Sequence, residues 1–333
     1  MPYRWIINGK LAVSRYPLPS EVIELSKIFD AVVILIEPHE YTGVPIQTYL
    51  RRWRSLGAEV FYSPTRDWWP PHLLELYHIV KWIKSRISQG DRVLVHCMGG
   101  IGRSGAVAAA YLVYALGYKP WDAVVRVRRR VPGALEVPRQ EKMVYTLHYL
   151  LEYLPEPLLS RIDSIALERN YGAGIKHVSK VTQLAIDLVT DLGITRDIPY
   201  KLRNALAIAS ILHDIVFNQE PHGIRSMEYI REVLGKQELG FKKELVEEIA
   251  KYVKCHHIEW CTKEEYSIGT VMLQIADHLD HGFDQTVDYI EALEEENGIR
   301  INIYCELPCN HNINELFHIK DLVEAILGKP LLL

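Results

Sequence analysis

The segment VLVHCMGGIGRSGAVAAA, from Val93 to Ala110, sets Cys97 between an apolar run and a loop with three glycines; an arginine and a serine then open an alanine-rich helix. Gly99, Gly100 and Gly102 permit backbone conformations closed to other residues. The loop Met98, Gly99, Gly100, Ile101, Gly102 can therefore aim successive N–H groups at one point and cradle an anion. The helix from Arg103 adds the positive end of its dipole, and the Arg103 guanidinium can grip two phosphate oxygens in a fork. The same field favours a thiolate at Cys97, a nucleophile ready at neutral pH. Ser104 can donate a hydrogen bond to the Cys97 sulfur when sulfur must leave. His96 is expected to pack and hydrogen-bond, holding Cys97, rather than to titrate.

Downstream the chemistry changes. His177, the doublet His213-Asp214, His222, the pair His256-His257 and Asp277 follow in order, each on or beside an apolar helical segment. Imidazole and carboxylate suit a divalent metal such as Mn, Fe, Zn or Mg, and facing helices of a bundle can converge them on one or two ions. Asp214 and Asp277, if both point inward, repel each other unless a cation lies between them. For His222, His256 and His257, ligation and an exposed polar role both stay open. His278 and His281 are expected beside the site or at the surface.

The elements that must position these groups fall into two styles. WIINGKLAVS reads as two strands around an Asn8-Gly9 turn, PSEVIELSKIFD as a helix, and AVVILIE as a strand buried on both faces. Helix, strand, helix and strand follow through PIQTYLRRWRSLG, AEVFYSP, HLLELYHIVKWIKSRISQG and RVLVH. Such alternation predicts a mostly parallel sheet, whose ligands bind beyond the C-terminal strand ends, where Cys97 lies. YLPEPLLS marks a linker over 154–160, separating domains at 1–153 and 161–333. Beyond it helical periodicity dominates and predicts a bundle; the tail NGIRINIYCELPCN suggests a small hairpin and INELFHIKDLVEAILGKP a closing helix.

Length and composition agree with two cores: 333 residues, 48% hydrophobic and 24% charged. Residues 1–153 hold 20 Lys and Arg against 13 Asp and Glu, a surplus of 7, while 154–333 hold 18 against 29, a deficit of 11. There is no 18-residue apolar run and the opening MPYRWIINGK lacks signal-peptide features, so a cytoplasmic protein without a membrane partner is expected, and no strong nucleic-acid signal stands out. Cys255, Cys261, Cys305 and Cys309 could form disulfides or remain buried thiols; their spacing is not that of a zinc knuckle.

HCMGGIGRS matches HCxxxxxR[ST] and resembles the cysteine-based protein phosphatases, in the GxGRxG form of the tyrosine and dual-specificity branch. The resemblance implies a phosphocysteine on Cys97 and an aspartate acid on a loop about thirty residues earlier. SPTRDWWPP offers Asp67 at a spacing of 30, with Trp68, Trp69, Pro70 and Pro71 as a stiff lid; the alternative for Asp67 is a helix cap. VPGALEVPRQEKMV resembles the segment of small prokaryotic members that carries a water-orienting glutamine, here Gln140. With 96 residues before Cys97 and no counterpart of a tyrosine-binding loop, a shallow pocket of dual specificity is implied, needing no cofactor. Arg126 to Arg130 could attract acidic phosphopeptides or polyphosphorylated small molecules, although a solvated helix face is the better reading.

Over residues 160–285 the chain resembles the HD superfamily of metal-dependent phosphohydrolases. KHVSKV, ILHDI and IADHLD match its first histidine, its naming doublet and its last aspartate, and His222, His256 and His257 match the extra ligands of bimetallic, phosphodiesterase-type members. After the doublet stands IVFNQ, where many active relatives carry Gly-Lys or Gly-Arg, so a phosphate-binding cation is missing there. The expected protein is an α/β phosphatase-like domain followed by an all-α HD-type domain: a phosphate-ester hydrolase acting on phosphorylated proteins or small phosphate esters. In the alternative, the HD part is a metal- or nucleotide-binding regulatory module. A pure phosphate-binding scaffold is argued against by Cys97, Arg103 and Asp67.

Overall fold

The computed structural model describes residues 3–41, 45–237 and 240–333. The chain divides into two compact units, Met1–His148 and Tyr149–Leu333. In unit 1, β1 (Tyr3–Ile7) and β2 (Leu11–Ser14) form the antiparallel hairpin, with Gly9 at φ +68° in its turn. Three more strands, β3 (Ala31–Ile34), β4 (Glu59–Tyr62) and β5 (Val93–His96), complete a sheet in the order β1-β2-β5-β3-β4, parallel except for β1. The sheet is thus mostly parallel, as its strand and helix alternation dictates. Val93, Leu94 and Val95 of the central strand are fully buried, each contributing about 2 kcal/mol of hydrophobic burial.

Six helices accompany these strands: α1 (Pro19–Ser26), α2 (Ile46–Ser55), α3 (Leu73–Ser88), α4 (Arg103–Leu116), α5 (Pro120–Arg130) and α6 (Pro138–Tyr153). Helix α4 is buried from Arg103 to Val113, as its alanine-rich sequence allows, and ends on Gly117 in the left-handed conformation. Within Arg126–Arg130 the structure separates the roles. Arg128 donates to the carbonyls of Ala134 and Leu135 and pairs with Glu141, whereas Arg129 and Arg130 are exposed.

Unit 2 is a bundle of α7 (Glu156–Glu168), α8 (Ile175–Leu192), α9 (Tyr200–Leu212), α10 (His222–Leu234), α11 (Lys243–Lys254), α12 (Ile268–His278) and α13 (Asn310–Leu327). A small sheet is added to it. Strands β6 (Tyr289–Glu294) and β7 (Ile299–Tyr304) pair antiparallel, and β8 (Leu331–Leu332) joins β7 in parallel. The hairpin therefore begins earlier than its sequence signal, and the terminal strand had none. The connection also differs from a linker over 154–160. Helix α7 starts at Glu156, because Pro155 caps it and Pro157 sits in the first turn, where a missing N–H costs nothing. Cys255 is bonded to Cys261 and Cys305 to Cys309, leaving Cys97 as the free cysteine among the described residues. No described helix is long and apolar enough to cross a membrane.

One glycine holds the bundle against its own doublet. Gly172 has φ +62°, and a Cβ there would lie 1.7 Å from the Asp214 carbonyl oxygen. Gly328, at φ +74°, has open space where its Cβ would stand. Gly328→Ala should cost about 1–2 kcal/mol for the left-handed backbone alone, and Gly172→Ala more than ~3 kcal/mol because backbone must also move. Denaturant unfolding of the two variants checks the order; equal losses would show that the close approach is not rigid.

Candidate functional site

Cys97 follows the buried end of β5, with its side chain under the glycine loop. The Gly100 N–H donates to Cys97 Sγ at 3.2 Å, and Ser104 Oγ lies 3.4 Å from the same sulfur. Gly100 has φ +77°, and a Cβ there would stand 2.3 Å from the Arg15 nitrogen, so both conformation and space demand glycine. The rest of the loop is fixed through carbonyls: Met98 O accepts from Tyr16 N at 3.0 Å and Ile101 O from Leu135 N at 3.3 Å. Gly102 caps α4, and Gly99 would meet only the Ile101 side chain. His96 is fully buried, with Nε2 3.3 Å from the Tyr49 hydroxyl. Burial, aided by the charge of Arg103, pushes its pKa down to about 3.

Arg103 is 1% exposed, and both of its terminal nitrogens are engaged. Its Nη1 donates to Glu40 at 2.6 Å and to the Thr65 carbonyl at 2.7 Å, while Nη2 donates to Glu40 at 2.6 Å and pairs with Asp67 at 2.9 Å. Burial raises the pKa of Glu40, but the Arg103 hydrogen bonds outweigh it and leave the group lowered. Asp67 therefore lies beside Arg103. Its segment is clamped to the start of α6: Arg139 Nε and Gln140 Nε2 donate to Trp68 O at 2.9 and 3.2 Å, and the Trp69 ring is stacked between the guanidinium groups of Arg66 and Arg139. Gln140 also accepts from Glu136 N at 2.8 Å. One end of its amide thus holds the Asp67 segment, and the other holds the chain at Glu136.

In unit 2 the ring nitrogens converge in two groups around one carboxylate. His177 Nε2 lies 3.2 Å from His213 Nε2 and 3.3 Å from Asp277 Oδ1, and Asp214 Oδ2 is 3.6 and 3.5 Å from the two rings. On the other side, His222 Nε2 and His256 Nε2 are 3.2 Å apart and stand 3.4 and 3.3 Å from Asp214 Oδ1. His257 brings a ring nitrogen within 4.8 Å of both His222 and His256. Two donors each about 2.1 Å from one ion, at right or tetrahedral angles, stand roughly 3.0–3.4 Å apart. The ring-nitrogen spacings of 3.2 Å and the carboxylate spacings of 3.3 and 3.4 Å fall in that range, and those to Asp214 Oδ2 lie just above it.

The outward faces of the rings fix their orientation. His177 Nδ1 meets Asp280 at 2.9 Å, His213 Nδ1 the Ser210 carbonyl at 2.9 Å, His222 Nδ1 Glu220 at 3.3 Å, and His256 Nδ1 the Val253 carbonyl. Burial opposes charge on His177, yet Asp277 and Asp280 push its pKa up to about 10; burial, with the charge of His256 beside it, holds His257 down to about 3. Burial also opposes the charge of Asp277, but His177 and His213 hold it well below the usual carboxylate range. Asp214 Oδ1 is buried without a hydrogen-bond partner, the unmet need a cation answers. His278 bonds the Gln274 carbonyl, and His281 lines the cavity above the ring nitrogens.

Two functional carboxylates escaped the sequence analysis. Glu40 follows β3 as Cys97 follows β5, so the rule that ligands sit beyond parallel strand ends could have flagged it. Asp280 stands three residues after Asp277, in the turn that follows α12.

Comparison with known proteins finds one family match in each unit. The family "dual specificity phosphatase, catalytic domain" matches residues 66–147, and the HD domain family matches 174–282. The chain is similar to tyrosine-protein phosphatase CDC14 of Candida albicans, 24% identical over 110 residues, 30% of this chain and 20% of that one. It is also similar to protein tyrosine phosphatase domain-containing protein 1 of Bos taurus, 26% identical over 226 residues, 58% of this chain and 28% of that one. An uncharacterized protein of Methanocaldococcus jannaschii is 34% identical over 113 residues, 32% of this chain and 74% of that one. The chain thus spans less than a third of the length of the first two relatives. Among solved structures, Tk-PTP in the active form is 38% identical, with a TM-score of 0.41 over 44% of this chain and 96% of that one.

Because His96 is held neutral when folded but has a pKa near 6.5 when unfolded, its contribution to stability is present above pH 6.5 and is lost as pH falls from there toward 3. The slope is at most about 1.4 kcal/mol per pH unit. Six of the seven tryptophans lie in unit 1, so denaturant unfolding followed by tryptophan fluorescence should show this slope, and His96→Asn should flatten it between pH 6.5 and 4.5. An unchanged slope in the variant would assign the acid sensitivity to other groups.

For unit 2, the protein purified without chelator should carry manganese, iron or zinc by elemental analysis, up to two ions per chain, and Asp214→Ala should lose them together. Retention of one full equivalent in that variant would show that Asp214 is not the shared ligand.

Proposed function

We propose that this chain, which joins a dual-specificity-phosphatase-type domain to an HD-type domain, is a phosphate-ester hydrolase with a thiolate site in unit 1 and a metal-dependent site in unit 2. The observation that carries the first is the Gly100 N–H on Cys97 Sγ at 3.2 Å, beside the anchored guanidinium of Arg103. In this reading Met98, Gly99, Gly100, Ile101 and Gly102 receive the phosphate oxygens and Arg103 neutralises them. Cys97 Sγ attacks phosphorus as the ester oxygen departs, and Asp67 gives that oxygen its proton. Water then takes the phosphoryl group from sulfur, and Ser104 donates a hydrogen bond to the departing thiolate. Gln140 clamps Trp68, so orienting that water would require it to release the Trp68 carbonyl. The substrate class is a phosphorylated protein side chain or a small phosphate ester.

In unit 2, His177, His213, Asp214 and Asp277 would hold one divalent ion, and Asp214, His222, His256 and His257 a second. Such an ion supplies an activated water and neutralises phosphate charge. The chain's own part is to keep the Nε2 lone pairs inward through Asp280, the Ser210 and Val253 carbonyls and Glu220, and to screen the site behind Phe217 and Phe283. A ligand-sensing role for this unit, with a nucleotide or other phosphate compound as effector, is the second reading. One observation favours it: among the described residues, neither lysine nor arginine lines the cavity.

Cys97→Ser should abolish a chelator-resistant phosphatase activity with the fold intact, measured by phosphate release in the presence of EDTA. Asp67→Asn should slow alkyl phosphates about a hundredfold, within the usual range for a lost general acid, and nitrophenyl phosphate far less. Equal slowing of both would give Asp67 a structural role. Chelator-sensitive hydrolysis that survives Cys97→Ser favours the hydrolase reading of unit 2, and its absence favours the sensing one.

A further inference from the structure

The cavity above the ring nitrogens of unit 2, about 200 Å³, has a polar floor and an aromatic wall. His177, Asp214 and Asp277 form the floor. Phe217 and Phe283 form the wall, their rings meeting edge to face at 5.6 Å, and Phe283 lies over the His177 ring at 4.2 Å. Phe283 is 42% exposed and keeps a left-handed φ of +54°, so an apolar ring is presented to solvent on a backbone that disfavours it. Above the floor, the surface open to a ligand is mainly apolar carbon, and among the described residues no guanidinium or ammonium lines it.

These features select against a ligand with several charges. Each additional phosphate would need its own cation or N–H donors; beyond the rings read as metal ligands, the described lining offers only the imidazole of His281. The volume also lies below that of a drug-sized pocket, which leaves room for one small head and one ring. We infer that unit 2 binds a compact phosphate-like head carried directly on a flat, uncharged ring, with Phe217 and Phe283 as the specificity-determining residues. The head meets the floor and the ring lies against the Phe217–Phe283 wall, where aromatic faces and edges attract one another. This rests on the reading of His177, His213, Asp214 and Asp277 as a metal centre.

Calorimetric titration of the full-length, manganese-loaded protein with phenylphosphonate and with methylphosphonate tests it. Each titration is repeated on Asp214→Ala, so that heat from the thiolate site is subtracted, and manganese is measured on every sample. The Asp214-dependent site should hold phenylphosphonate at least tenfold more tightly than methylphosphonate. Phe283→Ala, a change at an exposed side chain, should bring that ratio below threefold with manganese content unchanged, and Phe217→Leu should lower it with the cavity still closed. Equal affinity for the two phosphonates in protein that retains its manganese, or a ratio unmoved by either variant, would overturn the inference. Wild-type protein that retains no manganese would instead overturn the metal-centre reading, and the inference with it.

Discussion

A guanidinium or carboxylate withdrawn from water costs several kcal/mol unless opposite charge or donors meet it. Arg103, 1% exposed, is met by Glu40, Asp67 and the Thr65 carbonyl, and these partners decide where the surrounding chain runs. The carbonyls come from the C-terminal ends of parallel strands: Leu35 N bonds His96 O, and Thr65 N bonds Leu35 O, so the segments after β3, β4 and β5 stay in register past the sheet. Glu40, Asp67 and Cys97 are therefore neighbours because three strands end together. In unit 2 the sign is reversed. Asp214 and Asp277 are the buried charges, and imidazole rings on α8, α10 and at the ends of α9 and α11 answer them.

Much of this was legible in the chain. The loop from Cys97 to Arg103 announces itself because phosphate binding needs glycines, one cysteine and one arginine at fixed offsets, and local spacing survives in sequence. The order His177, His213-Asp214, Asp277 was legible for a different reason: polar residues on otherwise apolar helices must face something. The partners that finish each site were not. Glu40 is 63 residues from Arg103, and nothing local distinguishes it from other glutamates until the strand order is known. Gln140 was read for chemistry, whereas the structure shows both amide ends tied to backbone. The run Arg126 to Arg130 looks like one charged face, yet Arg128 is turned inward to three acceptors by the loop at 134–135.

The disulfide alternatives and the small sheet show a second kind of limit. Cys255 and Cys261 pair across the turn that carries His256 and His257, a closure set by how α11 ends rather than by cysteine spacing. Strand β8 is two residues long and exists because β7 offers an open edge. Its sequence, two leucines, carries no strand signal of its own. Pro155 and Pro157 read as a linker, and a helix forms there because both fall where no backbone donor is needed.

The outward hydrogen bonds of the four histidines explain why the inner shell of unit 2 has its shape before any ligand enters. A free imidazole turns about its side-chain bonds and exchanges its proton between two nitrogens. Here Asp280, the Ser210 and Val253 carbonyls and Glu220 each take the Nδ1 side, which leaves every Nε2 facing the centre. Two of the four acceptors are carbonyls on the same helix, three residues before the histidine, so α9 and α11 orient His213 and His256 simply by ending where they do. Asp280 is fully buried and is itself held by the Gln285 N–H at 2.8 Å. The orientation of His177 therefore reaches back to the loop that carries Phe283, and the aromatic wall and the polar floor are set by the same short segment.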